Sequence, residues 1–232
     1  MGTIARNLLA VRARMLEAAL QAGREPASVR LLAVSKGFPA SAVAEAHAAG
    51  QFEFGENYLQ EALPKLASLK RLADLEWHFI GTLQGNKTRP VAENFAWVHA
   101  IDRERIAQRL SHQRPAWLPA LNVCIEVRLG EEPGKSGVAP ELVPVLARHI
   151  AELPRLRLRG LMCIPPPADD TEVQRARFRR MRELFEMLKQ DVQQLDTLSM
   201  GMSGDYQAAI LEGATMIRVG SAIFGQRPSQ RS

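Results

Sequence analysis

The chain of 232 residues has few of the features that define several common protein classes. Its two cysteines, Cys124 and Cys163, lie inside apolar runs without metal-ligand spacing, which predicts buried thiols in a reducing compartment. No apolar run is long enough to cross a bilayer, and no signal-peptide pattern opens the sequence. We therefore expect a cytoplasmic protein that uses neither a metal site nor a membrane.

The charge pattern also lacks the block of basic residues that is typical of nucleic-acid-binding tails. The formal net charge is +5 and the pI is about 9.6, which indicates only a general affinity for anions. The densest basic stretch, 175–182, is interleaved with Phe178 and Met181 at helical spacing, which favours the solvated face of a helix over a binding patch. Nucleic-acid binding therefore stays a hypothesis that the pI alone motivates, and we expect no nucleic-acid partner.

What is present is an ordinary globular composition, with 46% hydrophobic and 24% charged residues, and a regular alternation of strand and helix patterns. An amphipathic helix is predicted over 3–22. Eight apolar runs predict strands over 31–34, 51–57, 76–81, 97–102, 121–127, 156–164, 197–200 and 215–219. Helical segments follow at 39–49, 58–69, 86–91, 103–112, 140–152, 171–194, 205–212 and 221–224.

Eight strand–helix units predict an α/β fold with a parallel sheet that closes into a (β/α)8 TIM barrel, preceded by an extra helix. No linker or change of composition divides the sequence, so we expect one domain over 1–232, with a frayed polar tail at 226–232. In such barrels the carboxyl ends of the strands carry the chemistry. The residues that follow the predicted strands are therefore the candidate functional residues.

Lys36 follows the first predicted strand, in the segment AVSK. A lysine at the end of a dry strand is placed to react with a carbonyl group, although on its own the position favours an unreactive lysine that marks where the strand reaches the surface. Two glycine-bearing loops, 200–205 and 218–222, follow the last two strands. Barrels often bind phosphate there, with serine hydroxyls and backbone N–H groups as donors, but ordinary turns with helix caps have the same composition.

Arg218 lies between the predicted lysine site and the predicted phosphate site. A guanidinium stays charged and only donates, so it suits an unprotonated pyridine nitrogen, while a surface ion pair is the alternative. A reactive lysine, a phosphate site and a partner for a pyridine nitrogen are what pyridoxal 5′-phosphate (PLP) requires.

Six segments resemble one known family in order along the chain: AVSK (33–36), FGENY (54–58), WHFIGTLQGNK (77–87), LMCIPPP (161–167), SMGMSGDYQAAI (199–210) and IRVGSAIFG (217–225). They closely resemble the pyridoxal phosphate homeostasis protein family, and the resemblance extends over about 5–227. That family is similar to the barrel domain of bacterial alanine racemase, called fold type III. Two departures are Cys163, where a smaller residue is expected, and Gly204, where an acidic residue is common.

The resemblance implies PLP as the cofactor and a role for each of eight residues. Lys36 would be the Schiff-base lysine, Arg218 would face the pyridine nitrogen and Met200 would pack beside the ring. The remaining five would line the pocket (Asn57, His78) or hold the phosphate (Ser203, Gly220, Ser221). A core histidine remains the alternative for His78, and a helix N-cap for Asn57. Lys135, in GKSG, resembles a second lysine of some members, or is a solvated loop lysine.

The resemblance implies a non-catalytic protein that holds PLP and delivers it to recipient PLP-dependent enzymes, and we expect a monomer. The alternative is an amino-acid racemase of the alanine racemase type. Racemisation by two bases needs a second base on the far face of the cofactor, which in alanine racemase is a tyrosine from another domain of a partner chain. The only tyrosines here, Tyr58 and Tyr206, lie at predicted helix starts, and the sequence ends just after the eighth strand. We therefore expect no racemase activity.

Overall fold

The computed structural model describes residues 2–130, 136–192 and 194–226. Lys135 lies outside the described residues, as does the predicted frayed tail apart from Gln226. The eight strands are β1 (Arg30–Val34), β2 (Glu53–Glu56), β3 (Glu76–Phe79), β4 (Trp97–Ile101), β5 (Leu121–Val127), β6 (Leu156–Cys163), β7 (Thr197–Ser199) and β8 (Met216–Val219).

Helices separate the strands along the described chain. They are α1 (Thr3–Gln21), α2 (Ala40–Ala48), α3 (Leu59–Ser68), α4 (Thr88–Asn94), α5 (Glu104–Gln113), α6 (Val143–Ala151), α7 (Thr171–Asp191), α8 (Tyr206–Leu211) and α9 (Ser221–Phe224). Short 3₁₀ turns at Pro26–Ser28, Gly85–Lys87 and Pro140–Leu142 precede β1, α4 and α6. Within the described ranges, no helix combines the length and the apolar composition needed to span a membrane.

The strands are parallel and follow one another around a closed barrel in chain order. Closure comes from β1 and β8, where Arg30 is opposite Met216 and Ala33 is opposite Val219. The predicted (β/α)8 barrel with an extra amino-terminal helix is therefore confirmed. Because all strands run in the same direction, their carboxyl ends meet at one rim, and the loops that follow them surround one opening.

The outer helices follow the expected amphipathic pattern, and α7 shows its cause. Its buried residues, Phe178, Met181, Phe185 and Leu188, recur at intervals of three and four and form one face. The side chain of Asp170 caps its first turn by accepting from the backbone N–H groups of Glu172 and Val173. The apolar face therefore packs on the barrel and leaves the basic face of the helix outward.

Two small apolar clusters lie among the side chains that point into the barrel. One consists of Leu32, Val34, Ile80 and Met216, and the other of Trp97, Ala100, Cys124 and Met162. Both differ from the large cluster that joins the outer faces of the strands to the helices. A barrel interior filled in this way is a packed core rather than a pore.

Several predicted strands are longer than the observed ones, because their last residues leave the sheet and turn into the rim. The predicted strand 51–57 is observed as Glu53–Glu56, and the predicted strand 76–81 ends at Phe79. The Ile80 N–H still donates to Glu56 O at 2.9 Å, and the side chains of Asn57 and Ile80 line the opening. These end residues are the ones that surround the candidate site.

Candidate functional site at the carboxyl ends of the strands

A cavity of about 470 Å³ opens at the carboxyl rim of the barrel. Its polar lining comes from strand ends and from the two glycine-bearing loops, and Val34, Ile80 and Met202 contribute apolar walls. Six of the eight predicted site residues line it: Lys36, Asn57, Ser203, Arg218, Gly220 and Ser221. The cavity therefore brings the predicted lysine, the predicted anion loops and the arginine into one space.

His78 and Met200 are not among the described residues that line this cavity. The His78 side chain points into the barrel one layer below Ile80, is fully buried, and stacks on Trp97 with ring centroids 5.2 Å apart. The Met200 side chain is fully buried in the large outer core, and Met202 reaches the lining instead. The cause is the alternation of strand side chains, which sets how deep and on which side each residue lies.

The backbone next to Lys36 is held by a buried polar group that the sequence analysis missed. Ser35 donates from Oγ to Glu56 Oε1 at 2.6 Å, and Lys65 Nζ donates to Ser35 O at 2.9 Å. Lys65 Nζ also forms an ion pair with Glu56, and both side chains are almost wholly buried. The available signal was a glutamate in a strand covered on both faces, because a buried carboxylate needs a partner.

These contacts fix the course of the backbone around the half-buried Lys36. The Ser35 N–H donates to Gly55 O, which extends the pairing of β1 with β2 by one residue. Gly37 then takes a φ of +76°, a conformation that glycine adopts without strain, and the chain turns away towards α2. The fixed position of Ser35 and the turn at Gly37 leave the Lys36 side chain among the groups that line the cavity.

On the neighbouring wall, the loops after β7 and β8 approach each other, and the loop after β8 also approaches β1 closely. Ser203 Oγ accepts from the Ala222 N–H at 3.4 Å, which joins the two loops. A Cβ atom at Gly220 would lie 3.2 Å from Val34 O, so glycine permits the close approach of this loop to β1. The Asn57 Oδ1 atom is buried without a hydrogen-bond partner among the described residues. It is a polar atom that a ligand in the cavity could satisfy.

Arg218 supplies a buried positive charge at the floor of the cavity, with an exposure of only 4%. Its Nη1 atom donates to Ser199 Oγ and its Nη2 atom to Cys163 O, each at 2.8 Å. Burial lowers the pKa of the Arg218 guanidinium, while the nearby Cys163 and Asp205 raise it. A guanidinium remains cationic in proteins, and the alternative of a surface ion pair is wrong because the side chain is buried.

The combined geometry defines the class of ligand. A primary amine is placed to react with a carbonyl group, small polar loops suit an anion, and apolar walls suit a flat ring. The guanidinium can donate to a ring nitrogen but cannot give up a proton to it. The cavity therefore fits a planar, anionic aldehyde with a nitrogen in its ring.

One other cluster has the composition of a metal site. Glu53, Glu76 and His78 place ligand atoms within 4.8 Å of one another. Arg30, however, already lies 2.9 Å from a carboxylate oxygen of each glutamate. Because the guanidinium pairs with both carboxylates, we interpret the cluster as an ion-pair group at the amino ends of the strands.

Comparison with known proteins identifies the family of the chain. Residues 4–228 match the family model for the alanine racemase N-terminal domain. The pyridoxal phosphate homeostasis protein of Pseudomonas aeruginosa is 60% identical over 227 residues, which cover 98% of this chain and 97% of that protein.

Solved structures agree with the sequence comparison. The structure of PipY from Synechococcus elongatus with PLP bound has a TM-score of 0.85 and 39% identity, and it covers 96% of this chain and 100% of PipY. Alanine racemase from Clostridium difficile shares the fold alone, with 16% identity, a TM-score of 0.69 and 58% of the racemase covered. The chain therefore belongs to the pyridoxal phosphate homeostasis protein family, and its barrel is that of the alanine racemase N-terminal domain.

Proposed function

We propose that this chain binds PLP in the rim cavity and serves in the intracellular supply of that cofactor. The observation that carries the proposal is the convergence of Lys36, Arg218 and the two glycine-bearing loops on one cavity of about 470 Å³. A relative with 60% identity is named for pyridoxal phosphate homeostasis, and the similar PipY structure contains PLP. The unsatisfied Asn57 Oδ1 and the close approach at Gly220 support the proposal that these residues hold such a group.

Each group of residues has a distinct part in the proposed binding. Ser203, Ser221 and the backbone at Gly220 hold the phosphate, and Arg218 donates an N–H to the ring nitrogen. When bound, PLP supplies an aldehyde that condenses reversibly with a primary amine, with loss of water. Lys36 is the proposed Schiff-base lysine, because Ser35 and Gly37 hold its backbone at the cavity.

Borohydride trapping tests the role of Lys36. We expect PLP-loaded protein to absorb visible light, to lose that band on reduction, and to carry the added mass on the peptide that contains Lys36. Lys36→Ala should abolish most of the band and the adduct. Lys87→Ala is the matched control, because Lys87 is exposed and lines a neighbouring cavity. An undiminished adduct in Lys36→Ala would reject the assignment and direct attention to Lys65 or Lys135.

We further propose that the protein holds the cofactor without amino-acid turnover. Neither tyrosine, the half-exposed Tyr58 nor the buried Tyr206, is among the described residues that line the cavity. Arg218 donates a hydrogen bond to the ring nitrogen but does not protonate it. The ring therefore withdraws electron density from a bound substrate less strongly than a protonated ring would. The lack of a tyrosine among the described lining residues and the weaker electron sink act on the same barrier, and one general base is worth about 10²–10⁴-fold in rate.

Exchange of the α-hydrogen in deuterium oxide measures this property directly. PLP-loaded protein incubated with alanine and several other amino acids should show exchange and racemisation near the rate of free PLP. A turnover of about 1 s⁻¹ or more, as in ordinary enzymes, would contradict the carrier proposal and favour a racemase or related lyase.

The remaining proposals concern the context of the protein. We propose a cytoplasmic monomer with one domain over 1–232 that transfers PLP to recipient PLP-dependent enzymes. Two buried free thiols support a reducing compartment. The barrel takes all eight strands from one chain, so closure needs no second copy. Sedimentation of the loaded protein measures its mass in solution, and activation of an added apoenzyme measures transfer.

A further inference from the structure

Five buried or half-buried side chains form a continuous hydrogen-bonded line through the barrel interior. Arg218 Nη1 lies 2.8 Å from Ser199 Oγ, and Ser199 Oγ lies 3.0 Å from His99 Nδ1. His99 Nε2 lies 3.0 Å from His78 Nδ1, and His78 Nε2 lies 3.1 Å from Glu76 Oε1. The line runs from the cavity at the carboxyl rim to the amino ends of the strands. We call it the interior chain.

The interior chain ends on a carboxylate that is firmly held. Glu76 Oε1 also accepts from Arg30 Nη2 at 2.9 Å and from Trp97 Nε1 at 3.0 Å. The hydrogen bond from His78 is the largest of the effects that lower the pKa of Glu76, and the positive charge of Arg30 acts in the same direction against burial. Glu76 is therefore ionised at neutral pH and is only an acceptor.

The neutral state of both histidines then fixes the direction of every bond. Burial lowers the pKa of His78, and burial lowers that of His99 well below its ordinary value, with the positive charges of Arg218 and Arg30 acting in the same direction. Each ring consequently carries one N–H at neutral pH. Because Glu76 only accepts, the His78 proton is on Nε2 and its Nδ1 atom is an acceptor.

The same reasoning assigns donor and acceptor in the hydrogen bonds nearer the cavity. His78 Nδ1 accepts, so His99 must donate from Nε2, and its own Nδ1 atom must accept from the Ser199 hydroxyl. The Ser199 oxygen is then free to accept from Arg218, which has donors only. All four bonds point from Arg218 to Glu76. In such an aligned chain each bond polarises and strengthens the next.

We propose that Ser199, His99 and His78 are positioning residues for Arg218, which hold its guanidinium so that an N–H donor faces the ring nitrogen of bound PLP. The inference deepens the proposed function and rests on it. Nη1 and Nη2 are both held from within the barrel wall, by Ser199 and by Cys163 O, so a rotated guanidinium would lose two charge-assisted bonds. His78, expected at the pocket, contributes to it through two intervening side chains.

The hydrogen-bond directions can be measured without any cofactor. Histidine labelled with ¹⁵N in the apoprotein should show His78 and His99 as neutral rings with the proton on Nε2 at pH 7. Both N–H protons should exchange slowly with solvent, because both side chains are fully buried. A protonated ring, or a proton on Nδ1 of either histidine, would overturn the interior chain.

A pair of ligands tests the positioning role. The 1-deaza analogue of PLP has a C–H group in place of the ring nitrogen, so the ratio of the two affinities reports the contact with Arg218. In the wild type, PLP should bind about tenfold more tightly than the analogue, the value of one charge-assisted hydrogen bond. Ser199→Ala should bring this ratio close to one, whereas Ser199→Thr keeps a hydroxyl and should retain the preference.

Ser111→Ala is the matched control, because Ser111, like Ser199, is a buried serine. Its hydroxyl donates to Pro154 O and takes no part in the interior chain. It should keep the wild-type ratio. Failure of the wild type to bind PLP would reject the proposed function itself. An unchanged preference in Ser199→Ala, with PLP bound normally, would reject only the positioning role. If Ser199→Ala does not fold, the proton positions in the wild-type apoprotein decide the question.

Discussion

Gly220 has no side chain, and this lets the loop after β8 lie close to β1. A Cβ atom there would lie 3.2 Å from Val34 O, a backbone atom that β1 holds in place. A longer side chain would therefore push the loop after β8 away from the cavity. Because Gly220 and Ser221 both line the cavity, the displaced groups are those proposed to hold the phosphate.

We predict that Gly220→Val weakens the binding of PLP far more than that of pyridoxal, which lacks the phosphate. Each lost charge-assisted hydrogen bond costs about 1.5–3 kcal/mol of binding free energy. The dissociation constants of the two ligands provide the comparison. Gly85→Val is the control, since a Cβ atom at Gly85 meets only the Arg109 side chain, at 3.8 Å, and Gly85 is not among the described residues that line the cavity. Equal losses for the two ligands would show that the phosphate binds elsewhere.

At the scale of residues, the sequence could predict position along a strand better than depth in the barrel. Lys36, Arg218 and Ser203 follow or end strands, and that position alone brings them to the rim. His78 and Met200 occur in equally specific motifs, but their depth depends on where a strand leaves the sheet. The partner of Glu56 was also beyond prediction, since Lys65 is on a different element.

At Gly160, β6 approaches the neighbouring strand β7 so closely that only a glycine fits there. Gly160 has a φ of +156°, and a Cβ atom there would lie 1.8 Å from Thr197 O of β7. The register of β6 against β5 also shifts between Val123 and Cys124 beside this glycine. A side chain at this position would force β6 and β7 apart.

We predict that Gly160→Ala lowers the free energy of unfolding by more than the ~1–3 kcal/mol of a strained backbone conformation. Gly23→Ala isolates the effect of the contact, because Gly23 also has a positive φ, +66°, but no atom within 4 Å of its Cβ position. Urea denaturation of both variants gives the difference. An equal loss in the two would mean that conformation, rather than the approach of β7, is the cause.

At the scale of elements, order and type could be predicted, while the ends of elements could not. The alternation of strand patterns with helix patterns identified all eight strands, including 51–57, in which apolar and polar residues alternate. The predicted helix 140–152 is instead a 3₁₀ turn, Pro140–Leu142, followed by α6. Such terminal turns depend on local hydrogen bonds that hydrophobic spacing does not encode.

At the scale of the whole molecule, the fold buries its two thiols in two different clusters. Cys124 lies in the interior cluster and Cys163 in the large outer core, and both are fully buried. Burial raises the pKa of each thiol to about 12. At pH 8 the reactive thiolate is therefore scarce in the folded state, and reagents gain access mainly when the barrel opens.

We predict that both cysteines react with a thiol reagent at the same slow rate at pH 8, since opening of the whole barrel limits both reactions. Mass spectrometry of the labelled peptides measures the two rates, and unfolding in denaturant is the control in which both should react fast. If one cysteine reacts much faster than the other, part of the barrel opens independently.

The pairing of β1 with β8 has a consequence for the protein during its synthesis. Asn7 Nδ2 donates to Ile223 O at 2.9 Å across 216 residues, so α1 meets its partner only when almost the whole described chain exists. A growing chain on the ribosome therefore carries β1 with one edge unpaired until β8 emerges. Closing so long a loop costs entropy that the last strand must offset, and exposed parallel edges invite pairing with other nascent chains. The final strand must therefore emerge from the ribosome before the cofactor site can form.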